Sequence, residues 1–201
     1  MKKTILQFIL ILGLFTICNA QTQTTEIKPK GIFKEIDVAK HNTAIEILNG
    51  ENKVLKQQTV ESILKNPNDY NPPVIYALSR ELYNQNKKDE ATYWFYIAQL
   101  RARYDANLCM DVSAKQAVSM LNNEYGPDIN QYAFQDIDKL EKTVNKVVDF
   151  VRSNSENYDH RWINLHGMWA ILEGQTVARP ILLPRARWRP TMCGTSAFTA
   201  G

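Results

Sequence analysis

Apolar residues recur every three to four positions between Asn71 and Val151, and this spacing constrains the fold more than any other feature. It is clearest toward the end of that stretch, where the apolar positions are Ile137, Leu140, Val144, Val147, Val148 and Val151. Spacings of three and four place side chains on one face of an α-helix. The sequence therefore predicts an all-α fold, a compact helical bundle in which such faces pack together.

Helix start and stop signals divide this stretch into separate helices. Asn71 is a suitable cap for a helix that begins at Pro72 and Pro73, because the first N–H groups of a helix have no partner inside it. A second helix is predicted from a cap at Asp89 to about Asn107. Its apolar residues cover nearly the whole circumference, so we expect it at the centre of the bundle. Further helices are predicted at residues 59–66, at 113–125 with a stop at Gly126 and Pro127, at 137–151, and at 158–172 with Gly167 as a potential break.

Residues 44–56 carry a weaker pattern that fits two structures. Apolar and polar residues alternate from Ala44 to Leu48, Asn49 and Gly50 are typical of a tight turn, and Lys53 begins a segment that could return as a second strand. This pattern predicts a small N-terminal β-hairpin beside the bundle. A helix over residues 34–48 is the competing interpretation.

The first residues of the chain have the features of a secretory signal. Lys2 and Lys3 precede an apolar stretch that ends at Cys18, and small or polar residues follow before Gln21. The apolar stretch is short for a membrane span, which favours cleavage. We therefore predict a signal peptide at residues 1–20 and a protein exported to the periplasm or the cell exterior. A membrane association is expected only if Cys18 is lipid-anchored.

The rest of the chain divides into three parts by composition. Residues 21–33 are polar and are predicted to be a linker, and residues 34–175 form the helical domain. Residues 176–201 contain no Lys, Asn or acidic residue and are rich in Arg and Pro. We interpret this tail as non-native sequence, such as the product of a changed reading frame. A basic arm that contacts anionic partners is the alternative.

Charge is also distributed unevenly, and its distribution argues against nucleic acid as a partner. Of the 24 Lys and Arg residues, two lie before residue 21 and four after residue 175, whereas all 21 acidic residues lie between. The central part of the chain is therefore net acidic despite the formal charge of +3 for the whole. It has no cluster of Lys and Arg of the kind that binds phosphate backbones.

The paired helices at residues 72–105 carry a spacing of large and small packing residues. These residues are Ile75, Leu78, Ser79, Leu82, Ala91, Phe95 and Ala98. The segment resembles a tetratricopeptide or Sel1-like helical hairpin, over under a fifth of the chain and without a second copy. The resemblance implies a module that binds proteins or peptides and has no catalytic residues of its own. A helix pair packed by the same rules is the alternative.

Candidate binding residues cluster at the end of the central helix. Arg101, Arg103 and Tyr104 lie there, and Trp162 belongs to an aromatic set that could line a recognition groove. We expect the two arginines at the surface, as an anion or partner-peptide site. The alternative is a structural cluster in which the arginines pair with acids such as Asp105.

The segment from residue 159 to 166 is the other chemically dense part of the chain. His160 and His166 are six residues apart, so on a helix they would not face one metal ion, although a loop could bring them together with Asp159. No Gly-rich phosphate loop, nucleophile elbow or two-histidine metalloprotease motif is present. We expect no metal and no cofactor.

The sequence thus favours a non-enzymatic, exported domain that binds a protein or peptide. One concrete version, by analogy with other small exported proteins, is an immunity-like protein that neutralises a toxin. The alternative is a periplasmic hydrolase that uses Asp159, His160 and His166.

Overall fold

The computed structural model describes residues 28–175, and within this range it consists of helices joined by turns, with no strand. The α-helices are α1 (Ala39–Asn49), α2 (Lys53–Lys65), α3 (Pro72–Asn84), α4 (Lys88–Leu108), α5 (Gln116–Tyr125), α6 (Pro127–Ala133), α7 (Ile137–Ser153) and α8 (Met168–Gln175). Short 3-10 helices occupy Gly31–Glu35, Pro67–Asp69, Val112–Lys115 and His160–His166. The all-α prediction is confirmed. The predicted signal peptide and the predicted non-native tail lie outside the described residues.

The helix pair α3 and α4 forms the core of the described domain. α3 begins at Pro72 with prolines in its first turn, as predicted, but the Asn71 side chain makes no capping hydrogen bond. Leu78 and Leu82 of α3 and Phe95 of α4 have no exposed surface. α4 also packs against α5, α6 and α7, which places it at the centre as the sequence indicated. No helix among residues 28–175 is both long and apolar enough to cross a membrane.

The predicted N-terminal β-hairpin is wrong, because residues 44–56 form the end of α1 and the start of α2. Ala44 and Leu48 are four residues apart and both buried, so the alternating pattern also satisfies one face of a helix. Asn52 caps the start of α2, because its Oδ1 accepts hydrogen bonds at 3.1 Å from the backbone N–H groups of Val54 and Leu55. α2 therefore starts well before Thr59, the predicted cap.

The strongest apolar periodicity in the sequence produces a helix that is only shallowly buried. α7 begins after Asp136, whose Oδ1 accepts from the backbone N–H of Lys139 at 2.9 Å. Val147 is 2% exposed, but Ile137 is 59% exposed. The apolar periodicity therefore predicted the position of α7 but not the depth of its burial.

The C-terminal part of the domain departs from the predicted single helix at residues 158–172. The segment is a 3-10 helix followed by α8, and the two are separated at Gly167. A Cβ at Gly167 would collide with the Asp111 carboxylate, so a side chain at this position would force Asp111 to move. Asp111 Oδ2 accepts from the backbone N–H of Trp169 at 3.0 Å. Asp111 therefore caps α8 from the loop that follows α4.

One boundary inferred from composition is also shifted. The predicted linker at 21–33 overlaps the 3-10 helix Gly31–Glu35, whose Phe33 is buried in a small apolar cluster with Ala170 of α8. The predicted stop at Gly126 and Pro127 is confirmed, because α5 ends at Tyr125; Pro127 also begins α6, since proline is compatible with the first turn of a helix.

Candidate functional site

The C-terminal half of α4 carries one buried and one exposed set of functional side chains. Arg101 and Asp105 lie one turn apart on the buried side and are 1% and 0% exposed. Arg103 and Tyr104 lie on the exposed side. The prediction that Arg101 is at the surface is therefore wrong. Trp162, the fourth candidate binding residue, is also buried.

Asp105 is the acceptor at the centre of the buried set. Its Oδ2 accepts hydrogen bonds from Trp162 Nε1 at 2.7 Å and from the Tyr158 hydroxyl at 3.0 Å. Its Oδ1 lies 2.6 Å from His160 Nδ1. Asp105 is on α4, whereas its three partners follow one another at every second position in a single short segment. The two chemically dense parts of the sequence therefore meet at one carboxylate.

His160 is held in one orientation by this carboxylate. The hydrogen bond to Asp105 raises the pKa of His160 above its ordinary value; burial opposes the change, and the charges of Asp105, Glu156 and Asp159 support it. The His160 side chain is 26% exposed, and its ring packs at 4.7 Å, between centroids, against the ring of Tyr158. An imidazole fixed through Nδ1 by a buried carboxylate is suited to proton transfer.

Arg101 is enclosed beside the Asp105 cluster. Its Nη2 donates to Asn68 Oδ1 at 2.7 Å, and its Nε lies 3.1 Å from Glu156 Oε1. The guanidinium also faces the ring of Phe150 at 5.4 Å. Arg101 thus joins α4 to the turn after α2 and to the chain that follows α7, a structural role.

The three residues of the predicted hydrolase site do not converge. Asp159 caps the 3-10 helix by accepting from the backbone N–H of Arg161 at 2.9 Å, and its carboxylate also pairs with the Arg161 guanidinium. His166 lies edge-on to Trp162, with ring centroids 5.6 Å apart. Among residues 28–175, no group of three potential ligands is placed to hold a metal ion. His160 is paired with Asp105 instead of with Asp159.

The exposed side of α4 forms a continuous surface. We call it the α4 face, and its residues are Leu100, Arg103, Tyr104, Asn107 and Leu108. Residues three and four apart are neighbours on a helix, so these side chains adjoin one another. Leu100, Tyr104 and Leu108 are 37%, 50% and 42% exposed. The central helix of the domain therefore presents apolar and aromatic surface to solvent over its last two turns.

A cavity of about 220 Å³ lies at the other end of α4, toward α6 and α7. Its charged groups pair with each other: Lys139 contacts Asp89, and Asp89 Oδ1 accepts from the Tyr132 hydroxyl at 2.7 Å. The hydrogen bond from Lys139, followed by that from Tyr132, lowers the pKa of Asp89. The cavity's charges are thus used to join α4 to α6 and α7.

The chain matches no protein-family model, no curated protein and no solved structure.

The contacts of Asp105 and the groove beside Arg103 were not predicted from the sequence. Asp105 was predicted only as an ion-pair partner of the arginines, because nothing in the sequence links it to Tyr158, more than fifty residues away. A second group, Lys115, Ser119 and Asn122, lines a groove beside Arg103. Their spacing of four and three, beside buried Val118, is a signal that could have placed them on one face of α5.

Proposed function

We propose that this protein is an exported, non-enzymatic domain that binds a partner protein through the α4 face. The observation that carries the proposal is the exposure of Leu100, Tyr104 and Leu108 on the central helix, whose other side packs against α3, α5, α6 and α7. Contiguous exposed apolar surface is a recurrent mark of protein-binding sites.

The composition of the α4 face supports a protein partner. Tyr and Arg are enriched at interfaces because each combines a large contact area with hydrogen-bonding groups, and Tyr104 and Arg103 are adjacent on this face. The apolar surface is extended by the loop that follows α4, where Met110 is 46% and Val112 is 72% exposed. The face is therefore not limited to one isolated side chain.

The rigidity of the buried side supports the same proposal. Asp105 and Arg101 fix α4 against the 158–166 segment and the turn after α2. A binding surface on a rigid element loses less conformational entropy on association than one on a loop. The tetratricopeptide-like arrangement of α3 and α4 belongs to this proposal, since such hairpins hold peptide-binding surfaces.

Export and toxin neutralisation complete the proposal. An immunity-like protein must meet its toxin outside the cytoplasm, and the first twenty residues have the character of a cleavable signal. N-terminal sequencing of the exported protein is expected to begin at Gln21. Recovery of the protein only in the cytoplasm, with Met1 retained, would contradict the export part alone.

The binding part is tested by photo-crosslinking in cells that produce the full chain. Tyr104 is replaced by p-benzoylphenylalanine, and the matched control carries the same residue at Glu141, which is exposed on α7. We expect one discrete protein adduct from position 104 and none from position 141. Equal adducts from both positions, or none from position 104, would rule out the α4 face as the binding surface.

A second candidate, which we infer from the Asp105–His160 contact, is hydrolysis with His160 as general base. A histidine oriented by a buried carboxylate is a recurrent part of hydrolytic sites. We would expect His160→Gln to reduce turnover of p-nitrophenyl ester or phosphate substrates about a hundredfold or more, while His166→Gln, a matched histidine variant, has little effect. Absence of turnover by the wild type across these substrates would exclude this candidate.

A further inference from the structure

A polar groove borders the α4 face and runs between α4 and α5. It has a volume of about 280 Å³. Ala106 and Val118 are buried and form its floor, whereas Arg103 and Lys115 are exposed at its sides. Because Arg103 belongs to both, the groove and the α4 face form one continuous surface.

The charge of this groove is of one sign. Arg103 and Lys115 are its charged residues, no acidic side chain lines it, and within residues 28–175 neither cation takes part in a salt bridge. All 21 acidic residues of the protein lie in the net acidic part between residues 21 and 175. The two cations share the groove with no acidic side chain in its lining, and they attract an anionic group.

Neutral hydrogen-bond donors line the same groove. Asn122 Oδ1 accepts from the Tyr76 hydroxyl at 2.8 Å and from Gln99 Nε2 at 2.9 Å, which fixes the orientation of the amide. The amide nitrogen of Asn122 makes no hydrogen bond to the described part of the protein. Asn107 and Ser119 add an amide and a hydroxyl. Carboxylate oxygens accept from donors of all these kinds.

The geometry points to an acidic segment of a partner protein as the occupant of this groove. Its carboxylates pair with Arg103 and Lys115, and its apolar side chains rest on Tyr104 and Leu108 of the adjoining α4 face. This inference rests on the proposed binding function and adds the chemistry of the partner. Nucleic acid fits less well, because strong backbone binding needs many phosphate contacts and the surrounding domain is net acidic.

Fluorescence anisotropy tests the inference with the full chain and a synthetic probe. The probe is a fluorescein-labelled peptide in which glutamate pairs alternate with leucine, and its control has glutamine in place of glutamate. The groove variant is Arg103→Gln with Lys115→Gln. The matched variant, Lys142→Gln with Lys146→Gln, removes the same charge from exposed positions on α7.

We expect the groove variant to bind the acidic peptide roughly five- to tenfold more weakly than the wild type. The α7 variant should bind it as the wild type does, and the glutamine peptide should bind all three weakly. Equal binding by both variants, no binding by the wild type, or tighter binding of an oligothymidylate than of the acidic peptide would overturn the inference.

The crosslinking experiment separates this inference from the proposed function. If the groove variant, carrying the photo-crosslinker at position 104, still forms the same partner adduct at the wild-type yield, the acidic-segment inference is wrong and the binding function stands. If the wild type forms no adduct at that position, the proposed function itself is wrong.

Discussion

Arg101 and Arg103 are two residues apart on α4 and have opposite environments. Arg101 is 1% exposed and held by Glu156 and Asn68, whereas Arg103 is exposed beside a groove that contains no acid. Two residues correspond to about 200° around an α-helix, which places the two guanidinium groups on opposite sides. One side of α4 therefore uses its charge to hold the fold, and the other leaves its charge available to a partner.

The groups that surround each guanidinium decide whether it stabilises the fold or is available to a partner. A buried guanidinium is tolerated only where acceptors surround it, because its desolvation is costly. Arg101 meets that condition in part, through residues far away in the sequence: Nη2 donates to Asn68 and Nε lies near the Glu156 carboxylate, whereas Nε and Nη1 make no hydrogen bond within residues 28–175. Arg103 does not need acceptors from the protein, because water solvates its exposed guanidinium.

The largest expected effect comes from removing the acceptor at the centre of the buried side. Asp105→Ala leaves the donors of Tyr158, Trp162 and His160 without their partner, and we expect a loss of about 3–5 kcal/mol in the free energy of unfolding. Urea denaturation followed by circular dichroism measures it. Asp149→Ala, at an exposed position on α7, is the control and should change the value by less than about 0.5 kcal/mol. Similar stability for the two variants would show that the buried side of α4 does not depend on the Asp105 carboxylate.

Arg101→Met tests the buried arginine directly. Glu156 then loses its buried cation, and because the Glu156 side chain is 19% exposed and can be partly hydrated, we expect a loss of about 2–3 kcal/mol. The same denaturation experiment measures this change. A neutral or stabilising result would indicate that methionine packing against Phe150 replaces the ion pair.

The pH dependence of stability is the next, smaller effect. The pKa of His160 is raised in the folded protein, so its contribution is fully present below the unfolded value of about 6.5 and is lost as pH rises through the folded pKa. Burial lowers the pKa of His41, which acts in the opposite direction. We therefore compare the wild type with His160→Gln. The difference between their free energies of unfolding should shrink as pH rises above neutrality.

NMR titration of the imidazole protons checks the same point residue by residue. His160 should titrate above the ordinary range and His41 below it. The reverse order would mean that Asp105 does not hold the protonated form of His160.

The smallest expected effect on stability comes from Arg103→Met. Its guanidinium is exposed and forms no salt bridge within residues 28–175, so the free energy of unfolding should stay within about 0.5 kcal/mol of the wild type. The same variant should weaken binding of the acidic peptide. A stability loss as large as that of Arg101→Met would show that the two arginines are equivalent after all.

Local signals in the sequence predicted the helices well where the physical cause is itself local. The two prolines at residues 72 and 73 marked the start of α3, and the apolar spacing marked α7. The hairpin prediction at residues 44–56 was wrong because five alternating residues also satisfy a helix face, and the capping side chain of Asn52 decides between the two.

The candidate site was less predictable because its contacts are not local. His160 was recognised as chemically notable, but its carboxylate partner is Asp105 on α4 and not its neighbour Asp159. The burial of Arg101 likewise depends on Glu156, which lies on another part of the chain. The prediction of two surface arginines was right for Arg103 and wrong for Arg101, because the phase of α4 puts Arg103 opposite the buried side.

The three donors that reach Asp105 lie near the end of the described domain, and this has a consequence for the order of folding. Synthesis from the N-terminus releases α3 and α4 first and the segment from Tyr158 to Trp162 later. Until that segment arrives, the Asp105 carboxylate must remain hydrated, and α4 cannot settle into its final enclosure. We therefore expect the growing chain to acquire resistance to proteases in one late step, after Trp162 emerges from the ribosome.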